Sequence, residues 1–359
     1  MNSEQLKGFL SAGNITVVEA MQKIDANAKG ILYIVDADCR LEGVVTDGDI
    51  RRWIIRTADL EEHVSEMMNQ SPRSVYLQEL NTALDYMERM KIKSLPVLDA
   101  GCRVVDVIVK DTSSRIDTAR LEHQMLNDVD VVIMAGGKGT RLYPYTKILP
   151  KPLIPVGDVP IMERIIGRFC DYGVKRFIAT LNYRKTMIRS YFADLMTNYK
   201  LDYVEESRPL GTAGSLRLIE TAFHKPFIVT NCDILIDADY TDIYEHHCKS
   251  GNMLTIVTAL KNIIVPYGVV NAKENAIVDS MEEKPKMSYF VNTGMYILNP
   301  ELLDYIPEDT FYHMTDLADD LLKQGKQVGM YPISEDSFLD MGEFEEMHRM
   351  EQKLSLKAE

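Results

Sequence analysis

The sequence predicts an α/β chain: a mostly parallel sheet covered by helices, preceded by a duplicated α+β module. Three observations carry this reading. Residues 31–49 and 94–112 align without gaps, each with an aliphatic run, the turn sequence Asp-Ala-x-Cys-Arg and a second aliphatic run. From about residue 128, apolar strand-like and amphipathic helix-like stretches alternate, the rhythm of a parallel sheet with helices on both faces. The first of those strands, Val131-Val-Ile-Met134, breaks into Gly136-Gly137-Lys138-Gly139. Ligands of such sheets sit at the carboxyl ends of the strands.

The bulk properties bound the answer. A chain of 359 residues suits two or three domains. Hydrophobic residues make up 46% and charged residues 26%, as in ordinary soluble proteins, and the net charge is −14. A nucleic-acid partner is not expected without a basic excess. The five cysteines (Cys39, Cys102, Cys170, Cys232, Cys248) are scattered without a Cys-x-x-Cys pair and read as reduced thiols. No signal-peptide pattern opens the chain, and no apolar run nears the ~20 residues needed to span a bilayer. A cytoplasmic location without membrane association follows as an expectation.

Taken in order, the duplicated module comes first. A helical pattern over 16–28 precedes the hairpin 31–49, and a second over 80–91, with Leu84, Met87 and Met90 on one face, precedes the hairpin 94–112. The expected divisions are repeat one at 1–63, repeat two at 64–115, a polar linker at 116–127 and a second domain at 128–359. Within that domain the patterns give helices over 161–172, 186–196 and 214–222, and strands over 175–181, 201–205 and 226–230.

The glycine run carries the chemistry. Glycines after a strand bring bare N–H groups close to an anion, and Arg141, Lys147 and Lys151 add fixed positive charge. Pro150 and Pro152 restrict the backbone around Lys151. A glycine turn beside solvated lysines would explain a lone Gly-x-Gly; the whole run argues for a phosphate cradle. It fits neither the Walker loop nor the dinucleotide fingerprint. Glu206 ends a strand before the helix start Gly211–Ser215. Its carboxylate matches the two adjacent donors of guanine better than the flanking carbonyls of uracil or thymine; a carboxylate favoured by the helix dipole is the plainer alternative. Asp233 closes an apolar strand, and Asp340 stands in a similar setting before Gly342. Two such carboxylates leave positions on Mg²⁺ for phosphate oxygens. Glu283-Lys284-Pro285 sets an acid beside a base, and Asn292-Thr293-Gly294 puts polar groups into an apolar strand, suited to sugar hydroxyls.

Two resemblances follow from these motifs. The first part resembles a pair of CBS domains (a Bateman module), on Gly43-Val-Val-Thr46-Asp-Gly-Asp49, the connector Val64-Ser-Glu-Met-Met68 and the repeat itself. That implies an AMP or ATP site in which Thr46 and Asp49 hold the ribose. Val109 and Thr112 stand at the equivalent places of repeat two, which puts a second such site in doubt. A packing and dimerisation module that binds nothing is the alternative.

Residues 128–345 look like a Rossmann-like sugar-1-phosphate nucleotidyltransferase, on the ordered set Ala-Gly-Gly-Lys-Gly-Thr-Arg-Leu, Pro-Lys-Pro-Leu, Leu-Gly-Thr-Ala-Gly, Asn-Cys-Asp, Glu-Lys-Pro, Asn-Thr-Gly and Asp-Met-Gly. By that resemblance Ala135, Gly136, Gly137, Gly139, Thr140, Glu206 and Gly211 hold a nucleoside triphosphate. Arg141 and Lys151 are catalytic, and Asp233 and Asp340 bind Mg²⁺. Glu283, Lys284, Asn292 and Thr293 face the sugar phosphate. Asp340-Met-Gly-Glu departs from the family's more frequent Asp-Ile-Gly-Thr. A CBS pair joined to this domain resembles the guanylyltransferases of bacterial surface-sugar pathways, among them those activating glucosamine 1-phosphate for legionaminic acid. GTP and glucosamine 1-phosphate are therefore the expected substrates, and a homodimer or higher homo-oligomer the expected assembly. Mannose or heptose 1-phosphate, another nucleotide (UTP, dTTP or CTP), or a nucleotide-sensing module with a spent transferase domain are the alternatives.

Overall fold

The computed structural model describes residues 6–27, 29–110, 126–342 and positions 346, 347, 350 and 352. The expected linker at 116–127 lies outside the described residues except for its last two positions. Contacts divide the chain into two compact units, Met1–Ile116 with Leu260–Phe290, and Asp117–Ala259 with Val291–Glu359. Segment 260–290 of the domain expected over 128–359 groups by contacts with the N-terminal repeats.

In the first unit, β1 (Leu10–Ser11) lies parallel to β2 (Ile31–Val35), which turns back antiparallel as β3 (Leu41–Thr46). β4 (Val75–Tyr76), β5 (Ser94–Leu98) and β6 (Val104–Val109) repeat that order and those directions. The duplication reaches the atoms of the turns. Asp36 accepts the N–H groups of Asp38 and Arg40 on Oδ1, and Asp99 those of Gly101 and Arg103. Cys39 and Cys102 take the left-handed conformation, at φ 63° and 61°. Asp is suited to such self-bonded turns. The tips meet: the Leu41 N–H donates to the Cys102 carbonyl at 3.1 Å and that of Val104 to the Cys39 carbonyl at 2.9 Å.

The helix Val17–Asn27 buries Val17, Ala20, Met21 and Ile24, the 3.6-residue period read from the sequence. The expected second helix is shorter, Ala83–Arg89 after a 3₁₀ turn Leu77–Thr82. Its buried positions are Ala83 and Met87, whereas Leu84 is 61% exposed. The face expected to hold Leu84 with Met87 is therefore rotated. Residues 64–69 stay with the first repeat: the N–H groups of Val64 and Ser65 donate to Ile15 and Gly13, and Asn69 exchanges bonds with Val44. The segment 260–290 carries an antiparallel hairpin, which is numbered below in chain order.

The second unit is built on a seven-stranded sheet. β7 (Asp130–Met134) is its first strand in sequence. A small hairpin, β8 (Pro155–Val156) and β9 (Val159–Pro160), leads into the helix Ile161–Cys170, then β10 (Arg176–Leu181), the helix Lys185–Ala193 and β11 (Lys200–Glu205). β12 (Phe227–Asn231), β13 (Ile234–Ile236) and the helix Tyr240–Ser250 come next. β14 (Leu254–Ile264), the arm hairpin β15 (Gly268–Ala272) and β16 (Val278–Glu283), β17 (Lys286–Leu298), the helix Met314–Lys323, β18 (Val328–Ile333) and β19 (Phe338–Asp340) complete the order. The sheet runs β11-β10-β7-β12-β17-β14-β18. β10, β11, β7 and β12 are parallel, and β17 is antiparallel to β12. The chain starts in β7, winds outward to β11, then returns to the other side as β12, so the strand order reverses beside β7. Ligand crevices form at such a reversal.

Burial explains the strands. Val131, Val132 and Ile133 are each 0% exposed, because helices cover both faces. On one face the helix Ile161–Cys170 buries Ile161, Met162, Ile165, Ile166 and Phe169. The helix expected over 214–222 is replaced by a short turn, Gly211–Gly214, and a 3₁₀ turn, Ser215–Leu218. Leu216 and Ile219 are buried, and Phe223 stacks on Phe227 at 3.9 Å. Those contacts draw the chain down into the core where a longer helix would have carried it away.

His247 is 1% exposed and sits in a polar network: Nδ1 meets Thr255 Oγ1 at 2.8 Å and Nε2 meets Asn299 Oδ1 at 3.1 Å. The Asn299 amide donates to the Asn252 carbonyl, so its oxygen accepts and Nε2 carries the ring proton. Burial holds the imidazole below its ordinary range, opposed by the Asn299 bond and aided by nearby His246. An unfolded histidine titrates near about 6.5. The folded group titrates lower, so the unfolded state takes up the proton first. Stability is full above about pH 6.5 and falls as the pH drops through the lower folded value. Thermal unfolding compared at about pH 7.5 and about pH 5.5 should show this loss, and His247→Gln should shrink it.

Candidate active site

A cavity of about 390 Å³ opens at the carboxyl ends of β7, β10, β11 and β12. Gly136, Gly137, Gly139, Thr140 and Arg141 line it from the glycine run, with Lys151, Glu206, Gly211, Asn231 and Asp233. Side chains expected to act together from scattered motifs thus share one wall.

The glycines are needed for room. A Cβ on Gly136 would stand 2.7 Å from Glu206 Oε1, and one on Gly139 2.9 Å from the Thr146 methyl. Gly139 also has φ 64°, and its carbonyl accepts the Thr146 hydroxyl at 2.8 Å. Buried Thr146 therefore fixes the loop from below. Ala135 is buried and donates its N–H to Thr180 at 3.0 Å, continuing the β7–β10 pairing; it supports the loop from outside the cavity lining. Lys147 is likewise outside that lining, with its ammonium 5.3 Å over the Tyr143 ring.

Lys151 and Asp233 form an ion pair, their side chains only 12% and 14% exposed. β13 pairs antiparallel with β19, setting Ile234 opposite Asp340, and the Met341 N–H donates to the Asp233 carbonyl at 2.8 Å. This small ladder brings the two carboxylates, remote in sequence, to one place. Asp340 is held above the ordinary carboxylate range by burial and then by the Asp233 charge, opposed by Lys151, the Gly342 N–H and Arg141. The described residues contain no cluster of three or more metal-ligating side chains. Two close carboxylates that repel one another do suit Mg²⁺, which takes one or two carboxylates and completes its shell with water and phosphate.

Glu206 is 7% exposed. Its Oε2 accepts the Leu210 N–H at 3.1 Å, while Oε1 faces Gly136. Burial raises its pKa, and the Leu210 bond opposes the rise. One oxygen thus orders the loop that follows and the other remains on the cavity side.

Asn292 and Thr293 are not among the cavity-lining residues. The Asn292 amide donates to the Tyr296 hydroxyl and its oxygen accepts the Gly294 N–H. Thr293 is buried and donates to the Val257 carbonyl at 2.8 Å. Gly294 has φ 89° and leaves space for the Asn231 amide, so this motif shapes the strand against Asn231. Glu283 and Lys284 lie on the exposed arm of the first unit, Lys284 at φ 50°. Thr46 and Asp49 make a helix capping box: each backbone N–H is accepted by the other's side chain, and the Thr46 hydroxyl donates to Asp49 Oδ2 at 2.6 Å.

Sequence reasoning missed the segment 309–313. The N–H groups of Ala213 and Gly214 both donate to the Tyr312 carbonyl at 3.0 Å, and the Tyr312 N–H donates to Leu210 at 2.9 Å. Arg208 pairs with Asp309 at 2.8 Å. This clasp places Phe311 and His313 on the cavity wall. Backbone bonds do most of the clasping, so no side-chain motif announces it.

Residues 130–356 match the nucleotidyl transferase family. The chain belongs to that family. Residues 12–56 match the CBS domain. Among curated relatives of the chain, a UTP–glucose-1-phosphate uridylyltransferase of Synechocystis is 32% identical, covering 59% of each chain. A mannose-1-phosphate guanyltransferase of Aspergillus oryzae is 36% identical, covering 49% of this chain and 50% of its own. The chain spans about half the length of the curated relatives it matches, or slightly more. Among solved structures, HddC from Yersinia pseudotuberculosis complexed with GMP-PN is 28% identical with a TM-score of 0.48, covering 63% of this chain and 99% of that one. The fold class read from the sequence, a mostly parallel nucleotidyltransferase sheet behind a CBS module, is the one found.

Gly211 tests the clasp. It has φ 79°, and a Cβ there would stand 2.5 Å from the Tyr312 carbonyl oxygen. Gly211→Ala should cost more than about 1 kcal/mol of stability. Gly137→Ala, whose Cβ meets nothing within 4 Å, should leave thermal unfolding unchanged.

Proposed function

We propose that this chain transfers GMP from GTP to a sugar 1-phosphate, releasing pyrophosphate, with glucosamine 1-phosphate as the preferred acceptor. The observation that carries the reading is the meeting of Arg141, Lys151 and Asp233 on the glycine-loop wall of the cavity at the reversal of strand order, with Asp340 brought beside Asp233 by the β13–β19 ladder. In the transfer, an oxygen of the sugar phosphate attacks the α-phosphorus in line, the bond to the β-phosphate oxygen breaks, and pyrophosphate leaves with its electron pair. The acceptor phosphate is already a nucleophile, so the chain needs no general base. The N–H groups of Gly136, Gly137 and Gly139, with Ala135 and Thr140 beside them, cradle the triphosphate, and Gly211 admits the base. Lys151 neutralises charge on the α-phosphate and Arg141 on the leaving group. Mg²⁺, held by Asp233 and Asp340, supplies charge neutralisation on the phosphates when bound.

Guanine is favoured by the cavity-side oxygen of Glu206, which can accept from guanine N1–H or N2–H₂. The guanyltransferase relatives support that base, and the uridylyltransferase relative makes UTP the principal competitor. Glucosamine rests on the joining of a CBS module to a transferase domain; mannose or heptose 1-phosphate is the next choice, for bacterial surface glycan synthesis in each case. The module would take AMP or ATP at Thr46 and Asp49, the carboxylate leaving the capping box to meet the ribose. A cytoplasmic site of action and a homo-oligomer complete the proposal. Among the described residues no helix is long and apolar enough to cross a membrane.

The test is pyrophosphate release with GTP, UTP, dTTP and CTP against a panel of sugar 1-phosphates. Release with GTP is expected; turnover with UTP or dTTP and none with GTP would overturn the guanine assignment. Lys151→Ala should lower turnover about 10²–10³-fold, and EDTA should abolish it. A Lys151→Ala enzyme of undiminished rate would instead point to a binding module with a spent transferase domain.

A further inference from the structure

The clasp at 309–313 does more than close the cavity wall. Phe311 and His313 line the cavity, while Tyr312 between them turns into the core and donates its hydroxyl to Asp320 Oδ2 at 2.7 Å. The stretch is fixed on both sides of Phe311. Asp309 pairs with Arg208, and the Thr212 hydroxyl oxygen accepts the Met314 N–H at 2.9 Å. Phe311 is nevertheless 59% exposed, and its ring meets that of His313 at 80° with centroids 4.7 Å apart. Among the described residues that line the cavity, Phe311 alone carries a benzene ring. Its neighbours there are glycine N–H groups, Arg141, Lys151 and Asp233, which suit phosphate and cation. An apolar ring suits neither; it suits the flat face of a base.

The backbone says which end of the cavity this ring occupies. Glu206 Oε2 accepts the Leu210 N–H, and the Leu210 carbonyl accepts the Tyr312 N–H. Phe311 is thus carried by the loop that Glu206 orders, with Glu206 and Pro209 on the same cavity lining. We propose that Phe311 is the stacking platform for the nucleobase, held ready by the clasp while Glu206 meets the base edge. The inference rests on a nucleoside triphosphate entering this cavity and not on guanine, because every base has a π-face. A ring fixed by main-chain bonds loses little freedom when the base arrives.

Tryptophan emission tests it. Trp53 is the chain's only tryptophan, so Trp53→Phe with Phe311→Trp gives a single reporter at the platform. GTP should quench it beyond any change in a Met196→Trp control, placed at a fully exposed side chain; glucosamine 1-phosphate alone should not. In the wild-type background Phe311→Ala should raise KM for GTP about 5- to 150-fold with kcat little changed, since a stacked base is held alike in ground and transition states. Phe311→Tyr should keep the wild-type KM and Phe311→Leu should not. Quenching by UTP and not GTP would support the platform while removing guanine. Emission unchanged by every nucleoside triphosphate, quenching by the sugar phosphate alone, or an unaltered KM in Phe311→Ala overturns the proposal; continued pyrophosphate release by the wild type would then leave the transfer reaction standing.

Discussion

The ion pair between Lys151 and Asp233 ties the two halves of the cavity wall together. Lys151 comes from the segment after the glycine run, and Asp233 from just beyond β12 on the far side of the strand-order reversal. Both side chains are largely withdrawn from water. A shielded pair loses much hydration, and removing one member strands the other's charge. The pair is therefore poor as a general stabiliser and effective as a fixed arrangement of charge. Asp340 then joins by the β13–β19 ladder, and its proximity to Asp233 is felt in its raised proton affinity. A cation ligand and a triphosphate are chemically apt partners for such a set.

Around this pair the cavity is shaped by what is missing from the backbone. Gly136 leaves room for Glu206, Gly139 for Thr146, and Gly211 for the Tyr312 carbonyl. Each glycine lies where one chain segment passes close to another, so the loops are positioned by steric fit and backbone bonds. The clasp from 309–313 extends the same device, holding the Glu206–Gly214 loop through main-chain N–H groups.

The N-terminal module shows how duplication and divergence separate structure from use. Its two hairpins keep the same aspartate turns and left-handed cysteines, because a tight turn depends on a few neighbouring residues. Its helices have drifted apart. Thr46 and Asp49 cap a helix in repeat one, while Val109 and Thr112 occupy those places in repeat two. Leu80 and Leu84 are exposed where their counterparts Val17 and Met21 are buried.

The sequence by itself determined whatever depends on short-range order: both hairpins and their turns, β7 running into a glycine loop, and the alternation that makes a parallel sheet. It also marked Lys151, Glu206, Asp233 and Asp340, charged groups that the fold leaves buried or half-buried. Tertiary structure alone decided the rest. The rotation of the second helix followed from which face found a cover, the loss of the 214–222 helix from the stacking of Phe223 on Phe227, and the grouping of 260–290 with the repeats from contacts remote in sequence. Asn292 and Thr293 read as polar groups awaiting a ligand, yet each is satisfied by a neighbour that only folding supplies. The clasp at Tyr312 left no side-chain signal because backbone N–H and C=O groups are common to almost every residue. Whether they meet is settled by long-range packing.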